Sequence, residues 1–65
     1  MPSSVILRME YNAHTSTLRV VFVSGLIYDY ENVPEMIYRD MKAAGSKGTF
    51  LNRNIKGHYT FKKIN

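Results

Sequence analysis

No cysteine occurs in this chain of 65 residues, so neither a disulfide bond nor a thiolate-bound metal can hold the fold together. A chain of this size buries only about 60% of the surface that it exposes when unfolded. Its apolar core, or a partner subunit, must therefore supply the stability, which we expect to be about 3–5 kcal/mol. The length leaves room for a single domain, predicted to span residues 1–65.

Alternating residues predict three strands near the start of the chain, over residues 4–11, 17–23 and 26–31. Asn, Ser and Thr in residues 12–16 favour a turn after the first strand, and Ser24-Gly25 predicts a two-residue hairpin turn after the second. Strands joined in this way form an antiparallel meander. Within each strand, the side chains expected to share a face are Val5, Leu7, Met9 and Tyr11 in the first, Leu18, Val20 and Phe22 in the second, and Leu26, Tyr28 and Tyr30 in the third.

The period changes after Asn32, where the spacing of apolar residues predicts a helix over residues 34–44. Pro34 suits the first helical turn, because its missing N–H has no intrahelical partner there. Gly45 is expected to adopt the left-handed conformation that often ends a helix. The apolar stripe of this helix is expected to comprise Val33, Met36, Ile37, Met41 and Ala44.

A second, short helix is predicted between Ser46, a good N-cap, and Gly57, and a fourth strand is predicted in residues 58–64. We therefore predict an α+β fold in the order β-β-β-α-α-β, with two short helices on one face of the three-stranded antiparallel meander. The fourth, C-terminal strand is expected to join the sheet beside the first strand. The apolar side chains expected on one side of the second helix are Phe50, Leu51 and Ile55.

Taken in order, the segments "YNAHTSTLRVVFVSGLIYDY", "VPEMIY", "AAGSKGTFLNRNIKG" and "HY" resemble the KTSC domain family over about residues 4–59. The resemblance implies a domain that occurs at the C-terminus of some lysyl-tRNA synthetases and also as a stand-alone small protein. RNA binding has been suggested for the family, so the resemblance makes an RNA partner plausible. The Y-x-Y motif of the family, followed by its S-x-G and N-x-x-I-[K/R] patterns, falls on Tyr28, Tyr30, Ser46, Gly48, Asn52, Ile55 and Lys56.

Two interpretations of Tyr28 and Tyr30 stay open at this point. Two rings on one face of a strand can stack on unpaired bases, and each stack contributes about 1–3 kcal/mol. Alternatively, the helices pack on that face and both rings join the core, which a chain with few large apolar residues needs. In the second case the opposite face is a surface suited to a protein partner or a second copy. That face is expected to carry Arg19, Val21, Val23, Ile27 and Asp29.

Positive charge is concentrated in the last third of the chain. Residues 41–65 contain six Lys or Arg and no Asp or Glu, whereas residues 1–40 contain five acids and three arginines. This asymmetry favours a polyanion partner, although a basic face that only contacts solvent is the alternative. Free N–H groups at the start of the second helix attract phosphate, and helix capping by the same residues is compatible with that role. The residues predicted to bind nucleic acid are Lys47, Gly48, Arg53, Lys56, His58, Tyr59, Lys62 and Lys63.

We predict a small non-catalytic module that binds RNA or another polyanion. The first alternative is a protein-interaction or homodimer module that uses the exposed sheet face. A small ribonuclease that combines His14, His58 and Lys47 is more distant, because nothing in the sequence indicates that these side chains converge. The spacing of His, Asp and Glu matches no metal site, and no cofactor is predicted.

Apolar runs in this chain fall short of the about 20 residues needed to span a bilayer. The segment "MPSSVILRMEY" lacks the basic region that begins a signal peptide. The sequence therefore predicts a cytoplasmic protein with no membrane partner.

Overall fold

The computed structural model describes residues 6–65, in which one antiparallel sheet is combined with two helical segments. The strand order is β1-β2-β3-β4, and the helical segments lie between β3 and β4, so the predicted α+β fold is confirmed. Residues 4 and 5 of the predicted first strand lie outside the described residues. Within residues 6–65, neither helical segment has the length and apolar character needed to cross a membrane. The elements are β1 Ile6–Asn12, β2 Thr17–Phe22, β3 Ile27–Tyr30, α1 Glu35–Ala43, α2 Lys47–Phe50 with a π-helical continuation at Leu51–Ile55, and β4 Phe61–Lys63.

The core lies between one face of the sheet and the helical segments. Its sheet side consists of Leu18 and Val20 from β2 and Tyr30 from β3. The opposite side comes from the chain between β3 and β4, and its buried members are Val33, Met41, Leu51 and Ile55. Both helical segments therefore cover the same face of the sheet, as predicted.

An irregularity in strand β1 places Ile6, rather than Leu7, on the side of the sheet that faces the core. Ile6 pairs with Phe22 and Arg8 pairs with Val21, so Leu7 is an extra residue in the ladder. Ile6 packs against the core, whereas Leu7 is 65% exposed. The prediction that Leu7 shares a face with Met9 and Tyr11 is wrong, because one inserted residue reverses the alternation of side chains.

Four residues separate β2 from β3, and three of them lie between the hydrogen-bonded residues Phe22 and Leu26. The Gly25 N–H donates to the Phe22 carbonyl at 2.9 Å, and the Phe22 N–H donates to the Leu26 carbonyl at 2.8 Å. Gly25 has a φ of 97°, which residues with a side chain rarely adopt. A hairpin forms as predicted, but the two-residue turn is wrong, because a left-handed residue follows the β-turn.

Helix α1 differs from the prediction at both ends. Pro34 lies at the N-cap, and the chain leaves the helix through Ala44, whose backbone is extended at φ −67° and ψ 142°. Gly45 is consequently not the left-handed residue that was expected. Met41 is fully buried, but Met36 is 70% exposed and does not belong to the apolar stripe. Met36 and Met41 are five positions apart, which turns their side chains about 140° away from each other around the helix axis.

Tyr11 attaches the start of the helical layer to strand β1. Its hydroxyl donates to the Val33 carbonyl at 2.6 Å. Its ring stacks on the ring of Tyr38 in α1, with the two centroids 5.1 Å apart. The Lys42 ammonium lies over the Tyr38 ring, 5.3 Å from its centroid, which adds a cation–π contact. These contacts fix α1 over the first strand.

Strand β4 joins the sheet beside β3, so the prediction that it lies beside the first strand is wrong. Phe61 pairs with Tyr30, and Lys62 pairs with Asp29. The Phe61 ring lies 5.1 Å from that of Tyr28 and 5.6 Å from that of Tyr30, measured between centroids. Strand β3 thus offers β4 both aromatic contacts and an acidic partner, which is the physical reason for this position.

The face of the sheet that the helices leave uncovered carries a row of alternating charge. Glu10, Arg19, Asp29 and Lys62 are neighbours in this row, from β1 to β4. Arg19 donates two hydrogen bonds to Asp29, from Nε to Oδ1 at 2.7 Å and from Nη2 to Oδ2 at 3.0 Å. These hydrogen bonds from the guanidinium lower the pKa of the Asp29 carboxyl, and the same contact raises the pKa of Arg19.

Replacing Met41 with Ala should remove most of the stability of the protein. Truncating a fully buried Met costs about 2–5 kcal/mol, which is comparable with the total stability expected at this size. Met36→Ala, on the exposed side of the same helix, should change the free energy of unfolding by less than about 0.5 kcal/mol. Urea denaturation followed by circular dichroism measures both variants. Equal losses would contradict the orientation of α1.

The variant Asp29→Asn should unfold at a lower temperature than the wild type at pH 7, because it breaks the paired hydrogen bonds to Arg19. The folded-state pKa of Asp29 is lowered, so the carboxylate stabilises the fold above its unfolded-state pKa of about 3.9 and loses this effect as the pH falls through the folded-state value. The difference in melting temperature should therefore shrink as the pH is lowered from about 4.

Asp40→Asn is the matched control for this measurement. Asp40 is exposed and forms no ion pair with another residue in the part of the chain that the structure describes. The melting temperature of the Asp40→Asn variant should equal that of the wild type at every pH. A difference between Asp29→Asn and the wild type that stayed constant from pH 7 to pH 2 would show that the charge of Asp29 is not responsible.

Candidate functional site

A cleft of about 260 Å³ opens between the helix-facing side of the sheet and the second helical segment. Its sheet side is aromatic, and its helix side combines an apolar side chain with an amide and an ammonium group. The cleft is therefore the place where the core of the protein meets polar groups that a ligand can reach. The side chains that form its two sides are Phe22, Tyr28 and Tyr30 from the sheet and Leu51, Asn52 and Lys56 from the helix.

The residues that carry the family motifs converge on this cleft, although they are far apart in the sequence. Both tyrosines of the Y-x-Y motif line it, together with Gly48, Asn52 and Lys56. Gly48 is buried in the cleft wall. Residues of the three family motifs therefore lie on both sides of one cleft.

The remaining two motif residues hold the helix that forms the cleft wall. The Ser46 hydroxyl accepts the Thr49 N–H at 3.3 Å, so Ser46 is the N-cap that was predicted. Ile55 is fully buried beneath the helix. Because Ser46 already occupies one N–H of the first turn, the proposed phosphate site at this helix start has one donor fewer than expected.

The second helix widens into a π-helical turn beside the cleft. The Lys56 N–H donates to the Leu51 carbonyl at 2.7 Å, a hydrogen bond that spans five residues. The helix ends at Ile55, and Gly57, which was predicted to end it, follows the Lys56 C-cap with a φ of 84°. The sequence did not predict the π form. The only sign of an irregular helix was the weak helix propensity of Gly48 and of the asparagines.

The two tyrosines of the Y-x-Y motif differ in burial. Tyr30 is 3% exposed and belongs to the buried core, whereas Tyr28 is half-buried and borders the cleft. The Tyr28 ring has its centroid 5.4 Å from that of Phe22 and 6.4 Å from that of Tyr30, with both pairs in edge-to-face orientation. Of the two interpretations, burial in the core therefore applies to Tyr30. Tyr28 packs against the core and also borders the cleft.

Tyr28 and Tyr30 both line the cleft, and their hydroxyls are accessible. No side-chain hydrogen bond found within residues 6–65 involves either hydroxyl. In the same residues, no inaccessible side-chain polar atom lacks a partner, so these unpaired hydroxyls must be accessible. Burial, and to a smaller extent the nearby Tyr28, raise the pKa of Tyr30. Its hydroxyl therefore keeps its proton at neutral pH and can donate a hydrogen bond.

Four of the basic residues predicted to bind nucleic acid differ in how they stand relative to the cleft. Lys56 lines it. Lys63 pairs with Tyr28 across β3 and β4, so its side chain leaves the sheet on the same side as the tyrosine. Arg53 is exposed on the π-helical turn, and Lys47 is half-buried at the start of α2.

The other predicted site residues lie elsewhere or are already engaged. Lys62 leaves the sheet on the opposite face, where its Nζ lies 3.5 Å from Glu31 Oε2. His58 is exposed after Gly57, outside the cleft lining. Tyr59 is half-buried against the core, so its ring is less available for base stacking than the sequence suggested.

Phe61 is an aromatic residue of this surface that the sequence reasoning missed. Its ring is 54% exposed and contacts the rings of Tyr28 and Tyr30. Alternation in the sequence puts Phe61 on the same side of the strand as Tyr59 and Lys63, but its place beside the tyrosines of the cleft depends on β4 lying beside β3. A correct strand order would have identified it, because pairing with Tyr30 places it on the same face.

Ion pairing leaves the helical part of the surface positive. The ion pairs within residues 6–65 use Arg8, Arg19, Arg39 and Lys62, together with four of the five acids of the chain. The fifth acid, Asp40, takes part in none of them. The basic residues left without a carboxylate partner among the described residues are Lys42, Lys47, Arg53, Lys56 and Lys63.

His14 lies at a second hollow, on the face of the sheet that the helices leave uncovered. This hollow also contains Glu10, Arg19 and Asp29, but neither His58 nor Lys47 is part of its lining. The structure therefore does not assemble the three groups of the ribonuclease alternative in either cavity. Within residues 6–65, no cluster of three or more His, Asp or Glu side chains is suited to hold a metal ion.

Comparison with known proteins agrees with this geometry. Residues 2–59 match the family model described as KTSC domain. The crystal structure of a KTSC domain protein from Yersinia pestis is 35% identical in sequence and superimposes with a TM-score of 0.90, covering 100% of this chain and 92% of that one.

Curated relatives include much longer chains. The lysine–tRNA ligases of Nostoc punctiforme and Trichormus variabilis are 39% and 33% identical to this chain over 61 residues. The match covers 94% of this chain and 11% of each ligase, so the similarity concerns a small part of those enzymes. From the family model, the similar structure and these relatives together, we conclude that this chain belongs to the KTSC domain family.

Proposed function

We propose that this protein is a non-catalytic module that binds RNA or another polyanion through the surface around the cleft. The observation that supports this proposal is the separation of charge. Four of the five acids are paired with the arginines of the first forty residues or with Lys62. The basic residues of the second helix, and Lys63, have no carboxylate partner among residues 6–65. Such cations attract phosphates and release counterions when a strand binds.

Aromatic groups make a nucleic acid a better candidate than a simple polyanion. The exposed Phe61 ring lies on the same side of the sheet as Lys63, two residues along β4. Proteins that bind single strands combine a positive groove with rings on which bases stack. The relatives that carry a similar segment are lysine–tRNA ligases, and this supports RNA as the nucleic acid.

Homodimerisation through the uncovered sheet face is a second candidate function, favoured by the order of charges in its central row. From β1 to β4 the row reads acidic, basic, acidic, basic. If a second copy is rotated about a two-fold axis parallel to the strands, Glu10 faces Lys62 of that copy and Arg19 faces its Asp29. The row is therefore complementary to itself, as a two-fold interface requires.

The apolar part of this face is smaller than the sequence suggested. Val21 is only 8% exposed, whereas Val23 in the β2–β3 loop is 60% exposed. Ile64 is 49% exposed and donates its N–H to the Ile27 carbonyl at 2.7 Å, next to the charged row. A dimer formed here would depend on charge more than on apolar area, so salt should weaken it.

The double variant Lys56→Gln/Lys63→Gln should bind a short single-stranded RNA more weakly than the wild type and with a flatter salt dependence. Each phosphate contact contributes about 0.7 to the slope of log K against log salt for single strands, so the slope should fall by about 1.4. Fluorescence anisotropy with a labelled RNA at several salt concentrations measures both quantities.

The control for that experiment is Arg8→Gln/Arg39→Gln, which removes the same amount of charge from side chains paired with Glu10 and Glu35. Its salt slope should stay close to that of the wild type. If both double variants lose affinity equally, net charge explains the binding and the surface around the cleft does not.

The homodimer candidate predicts that a charge exchange rescues association. Lys62→Glu should weaken self-association, because it faces Glu10 of the second copy with a like charge. The double variant Glu10→Lys/Lys62→Glu restores opposite signs and should associate again. Sedimentation velocity over a range of protein and salt concentrations measures the association. A wild type that stays monomeric at low salt and millimolar concentration would exclude this function.

A further inference from the structure

The size of the cleft limits what it can contain. Its volume of about 260 Å³ lies just below the range of about 300–1,000 Å³ for sites that take drug-sized ligands. A base pair or a folded partner is much larger than this space. A strand bound to the surrounding basic surface can therefore place one ring system at a time in the cleft.

The walls of the cleft suit a flat aromatic group. On the sheet side, the Tyr28 ring meets the rings of Phe22 and Tyr30 at interplanar angles of 71° and 84°. On the helix side, the cleft is lined by the apolar side chain of Leu51, which is packed into the core and is 4% exposed. A planar group that enters between these sides leaves water and contacts the aromatic rings and Leu51.

The polar groups of the cleft match the polar edge of a nucleobase. The Asn52 amide has one oxygen that accepts and one nitrogen that donates hydrogen bonds, and a carboxamide of this kind can form two parallel bonds with a base. The accessible hydroxyls of Tyr28 and Tyr30 add further donors. The Lys56 ammonium, at the same cleft, suits the phosphate attached to such a base.

We propose that the cleft receives a single unstacked nucleobase of a bound single strand, that Asn52 hydrogen-bonds to the polar edge of this base, and that Lys56 contacts the adjoining phosphate. This inference rests on the proposed function, because the strand must first bind the basic surface. It adds a reason for binding single strands rather than duplexes, in which every base is already stacked and paired.

The experiment compares two five-nucleotide RNA strands that carry the same phosphates. One strand is abasic at every position, and the other has a single adenine at the central position. The wild-type protein should bind the adenine strand about 5- to 150-fold more tightly, which is the range for one base–aromatic stack. In the variant Asn52→Ala this advantage should fall at least several-fold, whereas Asn54→Ala should keep it. Asn54 is the matched control, since it is exposed two residues away and does not line the cleft.

Phe61→Leu tests the competing location, the exposed ring outside the cleft. If Phe61→Leu removes the advantage of the base and Asn52→Ala does not, the base stacks on β4 and the inference is overturned. Equal binding of the two strands by the wild type also overturns it but leaves polyanion binding intact. If neither strand binds, the proposed function fails and the inference fails with it. Circular dichroism verifies that every variant is folded.

Discussion

The burial of the Tyr30 ring is the interaction on which the rest of this structure depends. Tyr30 lies in β3 between Leu18 of β2 and Phe61 of β4, so its position sets the order of three strands. It is the aromatic member of the buried core among residues 6–65, where it belongs to the same cluster as Leu51 and Ile55 of the second helix. A chain of this size has few side chains that can bury so much apolar surface, so a tyrosine fills the place of a larger aliphatic core.

The same ring also lines the cleft, and this couples the fold to the candidate site. In larger proteins a ligand site can be formed by loops that contribute little to stability. Here the sheet side of the cleft is the exposed border of the core itself. Changes on the helix side, at Asn52 or Lys56, are therefore the ones that can alter binding without loss of the fold, because both side chains are exposed.

Much of the fold follows from local patterns in the sequence, and the differences have particular causes. The alternation of side chains located the strands. It did not predict that Leu7 is an extra residue in β1, because the amino-acid composition of the strand gives no sign of this irregularity. The partner of β4 depends on the path of the chain through the helices, which local patterns do not encode. For the site, the Y-x-Y motif and Lys56 could be identified from the resemblance to the KTSC family. Phe61 could not, because its exposure depends on the strand order, and the face of the sheet on which Lys62 lies depends on the same order.

The chain contains five tyrosines and no tryptophan, so tyrosine dominates its near-ultraviolet absorption and its intrinsic emission. Two of these five phenols line the cleft, while the hydroxyl of Tyr11 is held by a backbone carbonyl. An occupied cleft therefore changes the surroundings of a large part of the natural chromophores of the protein. Tyrosine absorption and emission can therefore report whether the cleft is occupied, in the unmodified chain and without an attached dye.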